Sequence, residues 1–211
     1  MHRSAFSLIL CAGLACHAGP VRALEPRVDF IAKVFADGAY RPQVYLEADV
    51  IKRYGKGVET VDQIGLIRRV YRDVTSGREV VITSNPDVVP EFRTVDEIRV
   101  SALLSGNGNA GTVEGVGAIA LNGVRIGGPA TAVQKIASEA AAKESVRDRL
   151  GGVAVDRTCI FQEDGSNNCY FLREGKVVAL AVGFGPQRRR LGRPSLCVEP
   201  SLCSAAFCGV H

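Results

Sequence analysis

RTCIFQEDGSNNCYFLREGKVVALAVGF, Arg157–Phe184, is the stretch that decides the fold. Three runs rich in β-branched and aromatic residues, RTCIFQ, NCYFLR and KVVALAVGF, are separated by the turn signals Glu163-Asp164-Gly165-Ser166 and Glu174-Gly175. Short apolar runs broken by such turns read as an antiparallel meander. Cys159 and Cys169 flank the first turn. Facing positions on paired strands bring two Cα atoms to the separation a disulfide requires. A Cys159–Cys169 bridge is therefore expected. Its short loop limits the stabilisation to roughly 2–3 kcal/mol, so its main effect is to hold strand register.

Upstream, PATAVQKIASEAAAKESVRDRLGG is Ala-rich, with apolar residues at Ala132, Val133, Ile136, Ala137, Ala140 and Val146. Pro129 suits a first helical turn and Gly151-Gly152 a stop, so one long helix is predicted across this stretch. The first half of the chain has a similar plan. VDFIAKVFADGAY and YLEADVIKRYGKG carry apolar residues at helical spacing, the second ending at Gly55. IGLIRRVYRD, REVVITS and DEIRVSALL then read as strands. Three anchors recur at near-constant offset: Asp49–Gly55 with Ser145–Gly151, Tyr71 with Tyr170, and Gly77-Arg-Glu-Val-Val with Gly175-Lys-Val-Val. A constant offset is the signature of an internal duplication. The predicted class is α+β: two helix-plus-antiparallel-meander units, 24–104 and 129–186, joined by a Gly-rich linker, 105–128.

A helix closed by an aromatic or aliphatic residue and Gly, followed by a meander with GR-VV or GK-VV in its last hairpin, resembles the repeat of β-lactamase inhibitor proteins. Small outer-membrane-assembly lipoproteins are similar. The likeness covers about 45–101 and 129–184 and is one of pattern. It implies an exported, non-enzymatic protein that binds another protein across its sheet. It carries over no individual contact residue, and it departs from those families in its second helix and in the lack of a lipidation motif.

The linker contains Gly106-Asn-Gly-Asn-Ala-Gly111, which spells the G-x-G-x-x-G of a dinucleotide-binding turn. That fingerprint needs a helix N-terminus directly after the glycines to hold the pyrophosphate. TVEGVGAIALNG follows instead, so the run reads as a flexible joint and no nucleotide cofactor is expected.

The N-terminal MHRSAFSLILCAGLACHAGPVRALEP has a positive residue, an uncharged apolar run and small residues before Leu24, the pattern of a secretory signal over residues 1–23. Export to the periplasm or medium is expected, with lipidation at Cys16 as an alternative disfavoured by Gly13. No later run is long enough to span a bilayer. The chain has 26 basic and 22 acidic residues, and its positive excess lies at the ends. The tail 187–211 holds Arg188, Arg189, Arg190 and Arg193 against Glu199, and is expected to be disordered. The body between is close to neutral, which argues against nucleic acid as a partner.

The three histidines are His2, His17 and His211. A body without histidine has no Ser-His-Asp or Cys-His catalysis and no His-based zinc site. Cys197, Cys203, Cys208 and His211 superficially match a zinc ligand set, but disulfide formation is the expected fate of exported thiols. No P-loop, EF-hand or S-x-x-K motif is present. The expected function is an exported protein-binding module, an inhibitor, immunity-type or envelope assembly factor, with no cofactor and no catalytic residue. Tyr45, Tyr54, Tyr71, Tyr170 and Phe171 are its candidate contacts, because aromatic residues often anchor interfaces. Ordinary core packing is the competing role for each. Two other functions compete with it: a surface-binding envelope protein using its basic tail, and a histidine-free hydrolase using paired carboxylates.

Overall fold

The computed structural model describes residues 30–37, 45–62, 65–106 and 111–184. The signal segment, the central four residues of the G-x-G-x-x-G run and the Cys-containing tail lie outside them. The chain forms an α+β fold. Helices α1 (Phe30–Asp37) and α2 (Glu47–Tyr54) precede strands β1 (Val58–Val61), β2 (Ile67–Asp73), β3 (Arg78–Ser84) and β4 (Val95–Ser101). Next come β5 (Gly111–Thr112) and the small hairpin of β6 (Ala120–Leu121) and β7 (Val124–Arg125). Helix α3 (Ala130–Glu139) then leads into β8 (Lys143–Leu150), β9 (Val153–Phe161), β10 (Ser166–Arg173) and β11 (Lys176–Phe184).

Among the described residues, the main sheet has nine strands. Eight lie in the order β1-β2-β3-β4-β11-β10-β9-β8, all antiparallel, and β5 pairs with β2 in parallel. The sheet is closed at its centre by β4 against β11, the last strand of each meander. Side chains alternate across it. One face packs Tyr71, Val80, Ile82, Ile98, Tyr170 and Leu180 under the helices. The other carries Cys159, Cys169, Phe171, Ala179 and Ala181. Cys159 and Cys169 are register partners, and their sulfurs form the expected disulfide at 2.01 Å.

Two expectations are corrected. The helix predicted to run to Gly151 stops at Glu139, and Lys143–Leu150 is strand β8. Gly151 and Gly152 both have positive φ, 57° and 79°, and form a two-residue hairpin turn rather than a helix stop. Exposed Lys143, Ser145, Arg147 and Arg149 alternate with the more buried Glu144, Val146, Asp148 and Leu150, a period of two that pairing with β9 selects over helical propensity. The anchor Asp49–Gly55 with Ser145–Gly151 thus matches a helix to a strand. Tyr71 and Tyr170 remain alike, each fully buried, and Gly77 and Gly175 each sit at positive φ in the following turn.

The Gly-rich stretch is packed where the structure describes it, not a loose joint. Val113, Val116, Ile119, Leu121 and Val124 join the helix-side core. Asn122-Gly123, at φ 50° and 78°, makes the β6–β7 turn. Asp73 binds this stretch to the β2–β3 turn. Its carboxylate accepts from the amides of Thr75, Ser76 and Val116. Burial works against its charge, but these bonds outweigh burial and hold its pKa below the usual carboxylate value. Gly111 enters β5, a strand rather than the helix a nucleotide turn requires.

Candidate interaction surface

The five aromatic candidates do not share a surface. Tyr71 and Tyr170 are fully buried on the helix side, where their hydroxyls bond to the Gly55 carbonyl and the Asn122 amide. Tyr45 and Tyr54 are half-buried and stack on Phe30, with ring centroids at 5.0 and 5.4 Å. Phe171 alone lies on the opposite face, buried, with the Arg99 guanidinium over its ring at 6.0 Å. Spacing and residue type could not separate these roles, because the two sheet faces are both apolar over β10.

The surface that stands out is the β3–β4 loop. Val88, Val89 and Phe92 are 38, 58 and 71 % exposed within five residues. Val61, 64 % exposed, is at the same end of the sheet, since it pairs with Ile67, whose partner on β3 is Ser84. Large exposed apolar side chains are ordinary when scattered and informative when clustered.

The loop is held firmly. The Asn85 side chain accepts from the Asp87 amide at 2.9 Å, and Phe92 closes a 3-10 turn by donating to the Val89 carbonyl at 3.0 Å. Arg93 donates from Nε to the Val88 carbonyl at 3.3 Å and from Nη1 to Glu47 at 2.8 Å. The Glu47 amide donates in return to the Arg93 carbonyl at 2.8 Å. Glu47, 2 % exposed, also accepts from Arg69 Nε at 2.7 Å. Arg69 further donates to the Lys56 carbonyl and pairs with Glu59. One buried carboxylate thus ties α2, β2 and the loop together.

Beyond the loop, Asp96 is half-buried beside Glu97, and burial, with a smaller contribution from Glu97, raises its pKa to about 6. A carboxyl raised on folding favours the protonated fold. Its contribution is complete below the unfolded value and is lost as pH rises through about 6. Asp96→Asn is therefore expected to remove a fall in stability of about 1–2 kcal/mol between pH 4 and 7, a figure discounted for partial exposure. Urea unfolding across that range checks it; an unchanged slope in the variant would refute the assignment.

A second feature is an open groove of about 390 Å³ between α1 and the β6–β7 hairpin, lined by Ala32, Phe35, Ile119, Asn122 and Gly123 among others. Among the described residues, no ionisable side chain lines it. Among the described residues, no group of three His, Cys, Asp or Glu side chains could hold a metal, and no helix is long and apolar enough to cross a membrane. The Cys197, Cys203, Cys208 and His211 set is outside those residues. Set against family models, curated proteins and solved structures, the chain has no match in any of the three comparisons.

Proposed function

We propose that this protein is an exported, non-catalytic protein-binding module of two helix-plus-meander units, acting as an inhibitor, immunity-type or envelope assembly factor. The observation that carries the reading is the apolar β3–β4 loop, fixed in place by a buried ion network. A loop whose backbone is fixed before binding loses little entropy on docking, so the exposed Phe92 it carries is suited to enter a partner's apolar pocket. The two-unit plan is supported by the sheet order, in which each meander follows a helix and the two last strands meet at the centre. The leader-like N-terminus and the Cys159–Cys169 disulfide favour an oxidising compartment.

Phe92→Ser is expected to leave the unfolding midpoint unchanged and to weaken partner binding by about 30-fold or more, the scale of an interface hot spot. The partner is first captured from envelope extract by the mature protein. Titration of the purified partner then compares Phe92→Ser with Val74→Ser, an exposed control on the β2–β3 turn at the sheet's other end. Equal affinities for the two variants would remove the loop from the interface. Binding that disappears on deleting residues 187–211 would favour the surface-binding alternative.

A further inference from the structure

The exposed apolar side chains of the β3–β4 loop stand near the point where the described chain ends. Gly183 on β11 pairs with Glu97 on β4, and a Cβ on Gly183 would be 3.1 Å from the Asp96 carbonyl oxygen. The strand ends one residue later, at Phe184. Phe92 is four residues before Asp96 in the chain. One strand spacing and four extended residues, about 20 Å, is therefore the most that separates Phe184 from Phe92.

The loop combines its apolar side chains with uncompensated acid. Asp87 and Glu91 are exposed beside Val88, Val89 and Phe92. Neither takes part in an ion pair among the described residues. Arg93, the one basic residue between Asn85 and Glu97, is buried and bound to Glu47. The basic residues of α2, Lys52 and Arg53, are in its last turn, whereas Glu47, at its start, is what meets the loop. An occupant suited to this surface presents apolar and cationic groups together.

The chain carries that combination directly after β11. Gly185-Pro-Gln is followed by Arg188-Arg-Arg-Leu-Gly-Arg193, four cations and one leucine in six residues. Residues 185–190 extend to about 20 Å, so this run reaches Phe92 and its acidic neighbours from Phe184. A short tether gives an effective concentration in the ~mM range, at which weak charge pairs suffice for occupancy. A guanidinium also binds favourably over an exposed aromatic ring. The other acidic turn near this point, with Glu163 and Asp164, precedes Ser166, the register partner of Phe184. It offers less. Asp164 already accepts from the amide and hydroxyl of Ser166, and among the described residues no large apolar side chain is exposed there. We infer that the β3–β4 loop is the docking site of the chain's own segment 188–193, with its arginines against Asp87 and Glu91 and Leu191 against Phe92. The segment then competes with any other occupant of the loop. That consequence alone rests on the reading of Phe92 as a partner contact; the docking itself does not.

The test is 15N–1H NMR of the mature chain, comparing wild type with the triple variant Arg188→Gln, Arg189→Gln and Arg190→Gln. The amides of Val88, Val89 and Phe92 are expected to move, while those of β9 and β10 stay in place and report an intact fold. In the triple variant, a synthetic peptide of residues 185–196 is expected to return the loop amides towards their wild-type positions and to saturate. Adding Asp87→Asn and Glu91→Gln is expected to weaken the peptide about fivefold or more, the scale of two surface ion pairs. Loop amides that ignore the triple substitution would overturn the inference. So would peptide shifts that stay linear, an undiminished affinity without the two carboxylates, or responses centred on Glu163 and Asp164 instead. A wild-type loop signal that fades on dilution would assign the segment to a second copy's loop, and would equally overturn docking within one chain. None of these readouts involves the captured partner, so they separate failure here from failure of the Phe92 interface.

Discussion

Replacing Glu47 by alanine is expected to destabilise the fold by about 3–5 kcal/mol, the cost of leaving buried charges without their partner. Both carboxylate oxygens are used, one by Arg69 and one by Arg93, and these arginine side chains are only 9 and 11 % exposed. Removal strands two guanidinium groups at once. Glu59 remains near Arg69 but is half exposed, and Arg93 has no other carboxylate among its ion pairs. Glu47→Gln keeps the shape and one acceptor, so its loss should be smaller. Urea unfolding of the three proteins measures the series. A loss below about 1 kcal/mol in Glu47→Ala would show that the guanidinium groups regain water, and the network would then be an incidental surface pair. The same variant tests how the β3–β4 loop is fixed: amide exchange at Phe92 should speed up more than exchange in β10.

Gly57→Ala is expected to cost about 2–4 kcal/mol, combining an unfavourable backbone region with a steric conflict. Gly57 has φ of 61°, and a Cβ there would stand 2.9 Å from the Val70 carbonyl oxygen and 3.0 Å from the Tyr71 ring. That ring cannot move aside easily. Gly111 presses on it from the adjacent strand, where an added Cβ would approach Tyr71 to 2.7 Å, and its hydroxyl is tied to Gly55. Gly77 is the control, with φ of 66° and open space around its Cβ position. Gly77→Ala should show the backbone cost alone, about 1–2 kcal/mol. Equal losses for the two variants in thermal or urea unfolding would mean that the Tyr71 ring yields, and that the close packing of β1 and β5 around it contributes little.

The meander Arg157–Phe184 was legible because strand chemistry, turn residues and the paired cysteines all point the same way. The end of helix α2 was legible, at the point where Gly55 takes positive φ. The stretch after Glu139 misled because Ala-rich helical propensity continues into it, while the Gly-Gly pair that makes a hairpin also reads as a helix stop. The Gly-rich stretch misled for a related reason. Its Asn122-Gly123 turn flanked by apolar residues is a hairpin signal, but glycine content obscured that Val113, Val116, Ile119, Leu121 and Val124 would be buried.

The candidate surfaces were hardly legible at all. Tyrosines invite a reading as interface anchors, yet Tyr71 and Tyr170 have no exposed area, while Phe92 in an unremarkable loop is 71 % exposed. Exposure is a property of what packs on a residue, and that depends on elements far away in sequence. The local chemistry of the chain determined its α+β class, its meanders, its disulfide and the absence of histidine between His17 and His211. Tertiary structure alone decided that Lys143–Leu150 would be a strand, because only β9 offers the ladder that outweighs helical propensity. It also decided that Glu47 would meet Arg69 and Arg93, 22 and 46 residues away. Such meetings depend on strand order and register, which are settled by the burial of the whole sheet rather than by any segment of it.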